Sequence, residues 1–380
     1  MTSTHRRAYV DWARGIAVLL MIEAHTLDAW TQLKPAVRRT IGFRDATVLG
    51  GFAAPLFLWL AGLAVVLAAT RAAEHTGSRR AAVAMICRRG LEIFILAFLF
   101  RIQGFIVTPG AAPVNLFRVD ILNIMGPAIV AAGLVWGFAR GTPARVCAFA
   151  AATAGIAMAT PIVRSAHAID AWPLWLQWHV RPFGELTTFT LFPWAGFVFA
   201  GAAAGQLIAA SVREDDRRRL HALLGIVGAG LVAFGFYAAS RPSIYAESSF
   251  WTTSPTWFAI RLGILMIALA VIYACEIVVA ALKGRATRIT TPAGQGFRPA
   301  IDPLATLGRS SLFIYWIHVE LVYGYASWGW RHRLPLWGTA IAYVLFCVLM
   351  YRAIGWRDLA MARWRNRPRG ASRASEPATA

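Results

Sequence analysis

The chain has 380 residues, of which 58% are hydrophobic and 15% are charged, and it contains 16 tryptophans. This composition excludes an ordinary soluble domain and is typical of a polytopic membrane protein. The net charge of +20 would suit nucleic-acid binding, but the arginines lie in short segments between long apolar runs. The expected partner of this charge is therefore the anionic surface of a lipid bilayer, with no role for nucleic acid.

Ten apolar runs are long enough to cross a bilayer, since a spanning helix needs about 20 residues. They lie at 9–29, 46–69, 83–106, 121–139, 145–163, 188–210, 220–240, 257–281, 304–326 and 334–354. Only helices and closed barrels satisfy their backbone in lipid, and runs of this length indicate helices. The predicted fold is an all-α integral membrane bundle of about ten transmembrane helices within residues 1–356. Residues 357–380 are predicted to form a basic, disordered tail.

Arginine placement predicts the orientation of these helices. If the N-terminus is cytoplasmic, the inside connections, among them 71–89 and 213–219, hold most of the positive charge, as does the tail. An even number of helices then places the C-terminus in the cytoplasm as well. The alanine- and arginine-rich composition indicates a bacterial inner membrane.

The first apolar run contains polar residues on one helical face, namely Asp11, Arg14, His25 and Asp28. Arg14 and His25 are eleven positions apart, which is close to three turns and about 16 Å along the axis. Such groups are costly inside a membrane and indicate function. His25 could act as a base, with Asp28 accepting a proton from its ring and fixing the tautomer. The alternative is that Arg14 snorkels to headgroups and His25 is an interfacial polar residue.

The ninth run contains a second polar face, with Ser311, Tyr315 and His318 at helical spacing. These side chains could line a substrate cavity, with His318 as a second acid or base. Hydrogen bonding to a neighbouring helix is the alternative, because membrane serine, tyrosine and histidine often bond across helices.

Four further polar residues are candidates for the same cavity. Arg101 and Arg261 lie inside apolar runs and would suit the phosphates of a bound ligand. Structural ion pairs or snorkelling are the alternative. Asp120 and Asn123 lie near the outer start of a helix and could contact substrate, or Asp120 could cap that helix. The four cysteines have no paired spacing, so no disulfide framework or metal site is expected.

The segment VDWARGIAVLLMIEAH, residues 10–25, resembles the first helix of the transmembrane acyltransferase superfamily. That superfamily includes the heparan-alpha-glucosaminide N-acetyltransferase-like proteins and the bacterial acyltransferase-3 O-acyltransferases. The second group shares an arginine, ten residues and then a histidine, which Arg14 and His25 match. The heparan-type members place their key histidine differently, which leaves the choice between the two groups open. Further similar stretches lie at 55–71, 119–126, 192–205 and 307–324.

This resemblance implies an enzyme that moves an acyl group, expected to be acetyl, from cytoplasmic acyl-CoA to the hydroxyl or amine of an extracytoplasmic sugar or glycan. His25 would be the general base or a transient acyl carrier. Arg14 would contact the donor, either at a phosphate or near the thioester. Acetyl-CoA or another acyl-CoA is the donor that the resemblance implies, and it implies no metal.

Two other functions are compatible with the sequence. A transporter or lipid-handling protein would use the buried charges as a polar path, but it would also be expected to show pseudo-repeated halves, which are not evident. An inactive relative could serve as a membrane scaffold. The sequence does not decide whether the chain forms a homo-oligomer.

Overall fold

The computed structural model describes residues 7–108, 110, 112–187, 189–290 and 302–365, without the side chains of residues 283–290. The regular structure in this part of the chain is helical, as predicted. The helices are α1 (Ala8–Trp30), α2 (Pro35–Arg38), α3 (Ile41–Gly50), α4 (Ala53–Thr76), α5 (Arg79–Val107), α6 (Ile121–Phe138), α7 (Gly141–Ser165), α8 (Leu174–Val180), α9 (Leu191–Ala210), α10 (Glu214–Ala239), α11 (Pro255–Thr290), α12 (Pro303–Arg309), α13 (Ser311–Tyr323) and α14 (Leu336–Arg365).

Eight helical segments of the described chain are long and apolar enough to cross a membrane. They are the continuous α3–α4 segment, α5, α6, α7, α9, α10, α11 and α14. The first and ninth predicted runs correspond to α1 and to α12–α13, the segments with the candidate polar residues. The last helix continues to Arg365, so the start of the predicted tail is helical. The rest of that tail, residues 366–380, lies outside the described residues.

The centre of the bundle is a close contact between α4 and α9. A Cβ atom on Gly62 would lie 1.8 Å from the Val198 carbonyl oxygen, and one on Gly201 would lie 1.8 Å from the Trp59 carbonyl oxygen. Only glycine allows backbones to approach this closely. Fully buried Trp59 and Phe197 fill the space beside this contact. The result is a closely packed pair of helices, against which α1, α5, α6 and α7 also pack.

A second close contact joins α12 to α1 and positions the candidate site. A Cβ atom on Gly15 would lie 2.2 Å from the Leu304 carbonyl oxygen, and one on Gly308 would lie 1.9 Å from the Asp11 carbonyl oxygen. The chain leaves helical geometry at Ser310, with φ −102° and ψ 15°. The ninth predicted span is therefore two helices.

The second of these helices, α13, runs beside α1 toward its C-terminal end. The indole Nε1 of Trp30 donates to the Val322 carbonyl oxygen at 3.2 Å. With the glycine contact at one end and this hydrogen bond at the other, the axial register of α13 against α1 is fixed at two points.

Candidate active site

A cavity of about 1320 Å³ lies beside α1, and its lining residues include Arg14, His25 and Asp28. Other lining residues come from α4, α5, α6, α9, α11 and α13. Arg14 and His25 therefore face one shared space and not lipid. Along the axis of α1 they are about 16 Å apart, so the cavity extends over roughly half the thickness of a hydrocarbon core.

The two ends of the cavity have different chemistry. At the Arg14 end, the wall includes Arg309 and Ser311, because α12 packs against the start of α1. At the His25 end, the wall includes Asp28 and Tyr323, whose hydroxyl donates to Asp28 Oδ2 at 3.0 Å. The Arg14 end is cationic, whereas the His25 end combines an imidazole and a carboxylate with further arginines, Arg118 and Arg331, near Tyr323.

His25 and His318 form the central contact of the site. Nδ1 of His25 lies 2.8 Å from Nε2 of His318, although 293 positions separate the two residues. The two ring planes differ by 10°. The His318 side chain is fully buried and lies behind His25, which itself lines the cavity. His318 therefore acts on the cavity through His25.

Hydrogen bonding fixes the tautomers of the two uncharged rings. Nδ1 of His318 lies 2.8 Å from the Ile314 carbonyl oxygen, which can only accept a hydrogen bond. His318 therefore has its proton on Nδ1, and its Nε2 is an acceptor. His25 must then donate from Nδ1, which leaves Nε2 of His25 unprotonated. That nitrogen has the lone pair that a general base or a nucleophile needs.

The predicted hydrogen bond from His25 to Asp28 is wrong in this geometry. His318 takes the Nδ1 hydrogen of His25, and Asp28 accepts from Tyr323 instead. The ring of Tyr323 contacts His25 edge to face, with centroids 5.7 Å apart. Asp28 lies one helical turn from His25 on α1, but His318 on α13 lies in the plane of the His25 ring and accepts its hydrogen bond.

Arg101, Asp120 and Asn123 form a capping arrangement at the start of α6. Nη2 of Arg101 lies 2.6 Å from Oδ2 of Asp120, so the charges neutralise each other. Oδ1 of Asp120 accepts from the Leu122 amide at 2.9 Å, and the Asn123 side chain accepts from the Asp120 amide at 3.0 Å. Arg101 and Asp120 line the cavity, whereas Asn123 is buried in the cap. Asn123 takes part in the helix cap and is not among the described residues that line the cavity, so its contact with substrate stays a prediction.

The remaining predicted residues lie at different places on the wall. Arg14 pairs with the buried carboxylate of Asp11, Nη1 to Oδ1, at 3.7 Å. Ser311 and Tyr315 both line the cavity, and the Tyr315 ring packs against Phe100 with centroids 5.2 Å apart. The ion pair directs the Arg14 guanidinium, and the aromatic contact joins α13 to α5.

The guanidinium of Arg261 lies over two tryptophan rings, 4.7 Å from the Trp257 centroid and 5.7 Å from that of Trp194. Arg261 also lines the cavity. Its Nε is buried and has no hydrogen-bond partner among the described residues. Aromatic faces hold this cation in place without neutralising it.

Sequence reasoning missed several arginines of the cavity wall. Arg38, Arg118, Arg309 and Arg331 line the cavity, although all four belong to connections or to the short helices α2 and α12. From their positions in the sequence, these arginines were expected only to be charged residues of connecting loops. A fold that turns these connections inward over the cavity was needed to identify them.

The connection between α7 and α9 forms part of the cavity mouth through Gly184 and Thr187. It is held by an ion pair between Arg181 Nη2 and Asp170 Oδ1 at 2.5 Å. The hydrogen bond from Arg181 lowers the pKa of the exposed Asp170 carboxyl group. The Val119 amide donates to the Leu186 carbonyl oxygen at 3.0 Å, which attaches this connection to the start of α6.

These features define a polytopic membrane protein with a histidine site inside the helix bundle. The catalytic-region family described as "Heparan-alpha-glucosaminide N-acetyltransferase, catalytic" matches residues 6–240, more than half of the chain. The chain therefore belongs to the heparan-alpha-glucosaminide N-acetyltransferase family. No curated protein gives a significant match.

Family membership implies acetyltransferase activity on a glycan, with acetyl-CoA as the donor. The matched region includes Arg14, His25, Arg101 and Asp120. His318 and Arg261 lie beyond residue 240, so their place beside the cavity is known from the tertiary structure alone. Within the described residues no group of three or more histidine, cysteine, aspartate or glutamate side chains is arranged to hold a metal.

Proposed function

We propose that this protein is a membrane-embedded acetyltransferase that moves an acetyl group from cytoplasmic acetyl-CoA to an amine or hydroxyl of an extracytoplasmic sugar. Its expected location is a bacterial inner membrane, with both termini in the cytoplasm. The observation that supports the proposal best is a single cavity with Arg14 at one end and His25 at the other. A donor and an acceptor could enter such a cavity from opposite sides.

The Arg14 end of the cavity is the proposed donor site. Arg14 and Arg309 supply planar guanidinium groups, which match phosphate oxygens through paired hydrogen bonds. Ser311 lies at the first position of α13, where free backbone amides also favour an anion. The donor phosphates would stay here, with the thioester directed along the cavity toward His25.

The His25 end is the proposed site of transfer. Nε2 of His25 takes the proton of the acceptor amine or hydroxyl while the acceptor atom attacks the thioester carbonyl carbon. The carbon–sulfur bond breaks, and the leaving thiolate of CoA takes the proton from His25. His318 holds His25 in the tautomer that this step requires. General-base assistance of this kind is worth about 10²- to 10⁴-fold.

A transient acetyl-histidine is the alternative chemistry for the same atom. The lone pair on Nε2 of His25 could attack the thioester carbonyl carbon and expel CoA as its thiolate. The acceptor would then attack the acetyl-histidine carbonyl carbon, the bond from that carbon to Nε2 would break, and the acceptor proton would pass to the CoA thiolate. Both routes use the same tautomer and the same positions of donor and acceptor.

Sidedness of transfer tests the proposed function. Purified protein is reconstituted into liposomes that contain glucosamine, and labelled acetyl-CoA is added outside. The orientation of the protein in the liposomes is determined from the access of protease to its C-terminal region. Labelled N-acetylglucosamine is expected inside the liposomes. Leakage is controlled with protein-free liposomes and with entrapped dye. Product formed only when both substrates share one compartment would contradict the proposal.

Arg14→Ala is expected to raise the KM for acetyl-CoA by about 10- to 100-fold, because a hydrogen bond to a charged group is worth about 1.5–3 kcal/mol. The KM for the acceptor should not change, since the acceptor binds at the His25 end. Steady-state kinetics with each substrate varied in turn measures both constants. Arg14→Lys keeps a charge beside Asp11 and should recover part of the donor affinity.

Arg88→Ala is the matched control for this prediction. The side chain of Arg88 on α5 is 77% exposed, and its one ion pair among the described residues is with Glu92 on the same helix at 3.5 Å. Its replacement should leave both KM values as they are. Equal effects of Arg14→Ala on the KM values of donor and acceptor would contradict the placement of the donor.

A further inference from the structure

The short helix α8 and the residues before it expose large apolar side chains. Trp172, Leu174 and Trp175 are 47%, 56% and 58% exposed. The polar side chain of Gln177 is buried instead, and its Nε2 donates to the Trp172 carbonyl oxygen at 2.8 Å. A connection that lies in water has the opposite arrangement, with polar side chains outside. Exposed apolar side chains on a short helix are typical of a segment that contacts a lipid surface.

Two contacts place α8 near the N-terminal end of α6. Buried Trp178 packs in one cluster with Ile124, in the first turn of α6. The ring of His179 lies 6.4 Å from that of Phe94 on α5, and Phe94 lies at the depth of Gly126 because a Cβ atom there would be 2.8 Å from its own Cβ. Gly126 is about 8 Å along the axis from the first residue of α6. Interfacial helices lie about 5–10 Å into the headgroup region, which is the depth of α8.

An apolar groove of about 250 Å³ lies between α5 and α6 where α8 crosses them. The two backbones touch there, since a Cβ atom on Gly90 or on Gly126 would lie 2.7 Å from the carbonyl oxygen of the other. The lining includes Phe94, which α8 contacts, and extends from Gly126 to Leu134, about 12 Å along α6. The described lining of the groove shares no residue with that of the cavity. A narrow apolar groove of this length suits one hydrocarbon chain.

The mouth of the cavity lies close to the α8 end of this groove. Thr187, which lines the mouth, forms a backbone bridge with Val119, two positions before α6. The groove begins at Gly126, five positions into α6. Two extended and five helical residues span at most about 15 Å. A headgroup beside α8 would therefore reach the mouth while its hydrocarbon chain stays in the groove.

We infer that the acceptor is a lipid-linked sugar, whose hydrocarbon chain lies in the groove between α5 and α6 while its sugar enters the cavity beside α8. This inference rests on the proposed function, because it names the class of the acceptor that reaches His25. A second copy of this chain could also cover the groove. The exposed apolar side chains of α8 at the end of the groove, and the cavity mouth beside them, favour a lipid.

Equilibrium binding in lipid nanodiscs tests the groove without any need for turnover. The ligands are dodecyl glucosaminide and methyl glucosaminide, which has the same sugar without the long chain. Empty nanodiscs measure the partition of the dodecyl chain into lipid, and that signal is subtracted. Ala131→Trp fills the groove from α6. This variant should bind dodecyl glucosaminide about 10-fold or more weakly than the wild type, and its affinity for methyl glucosaminide should not change.

Ala229→Trp is the matched control, since Ala229 is exposed on α10, outside the described lining of the groove. It should leave both affinities as in the wild type. Leu134→Trp, at the other end of the groove, should reproduce the effect of Ala131→Trp. Thermal unfolding in detergent establishes that each variant is folded.

Equal affinity of the wild type and both folded groove variants for dodecyl glucosaminide would overturn the inference. If that result came with a wild-type dimer that Ala131→Trp makes monomeric, the groove would belong to a second copy of the chain. If the groove variants weaken binding of the dodecyl ligand but the wild type acetylates neither sugar, the proposed function fails and the lipid site stands. Acetylation of methyl glucosaminide without any effect of the groove variants would remove the lipid site alone.

Discussion

His25→Asn is expected to lower the turnover number for acetyl transfer by about 10²- to 10⁴-fold, because it removes Nε2, the atom that takes the acceptor proton. The asparagine amide nitrogen lies close to the position of Nδ1 and can still donate to His318, so the helix contact is preserved. Activity is measured as N-acetylglucosamine formed from labelled acetyl-CoA. His25→Ala removes both functions and should be at least as inactive.

The control is His167→Ala, since the side chain of His167 is fully exposed in the connection between α7 and α9. That variant should keep wild-type turnover. Thermal unfolding in detergent establishes that each variant is folded. Wild-type turnover in a folded His25→Asn variant would remove His25 from the mechanism.

The same variant separates the two chemical routes. Wild-type protein is incubated with labelled acetyl-CoA in the absence of acceptor and then denatured in neutral buffer. If the denatured wild-type protein retains one acetyl label per chain and the His25→Asn variant retains none, the acetyl-histidine route is established. Efficient transfer without any labelled protein would establish general-base catalysis.

His318→Phe is expected to lower the turnover number by about 10- to 100-fold and leave the KM for acetyl-CoA unchanged. Nδ1 of His25 would lose its hydrogen-bond acceptor in the protein interior, which costs about 1–3 kcal/mol. The His25 ring would then rotate or change tautomer. His318→Gln places an amide oxygen close to the position of Nε2 and should restore part of the turnover. Steady-state kinetics of both variants measures this difference.

His221→Phe is the matched control for a positioning role. His221 is also buried, and its Nδ1 also bonds a carbonyl oxygen four residues earlier, that of Arg217, at 2.7 Å. It packs on Tyr273 outside the cavity, so its replacement should leave turnover intact. If His318→Gln were as inactive as His318→Phe while both variants are folded, His318 would serve in packing and not in positioning His25.

The sequence predicted the positions of side chains best where they depend on one helix. Arg14 and His25 both line the cavity because their spacing is a property of α1 itself. The number of residues per turn places two side chains on one face whatever surrounds the helix. The partners of that face are not determined by α1 alone. The predicted hydrogen bond from His25 to Asp28 was wrong for this reason.

The prediction was less complete where two helices determine the environment of one residue. Arg101 and Arg261 have the same pattern in the sequence, a single arginine within an apolar run. Among the described residues, the fold gives one of them a carboxylate at 2.6 Å and the other aromatic rings without an ion pair. Whether a membrane arginine is neutralised depends on which side chains the fold places beside it.

The sequence by itself determined the class of the protein, the approximate positions of its helices and the polar face of α1. Each of these depends on composition or on local periodicity, which act over tens of residues. Only the tertiary structure decided that His318 is the partner of His25, that Asn123 belongs to a helix cap and that Arg261 lies over two tryptophan rings while Arg101 pairs with Asp120. Those outcomes depend on the register between helices, which is set by close backbone contacts such as that of Gly308 with Asp11.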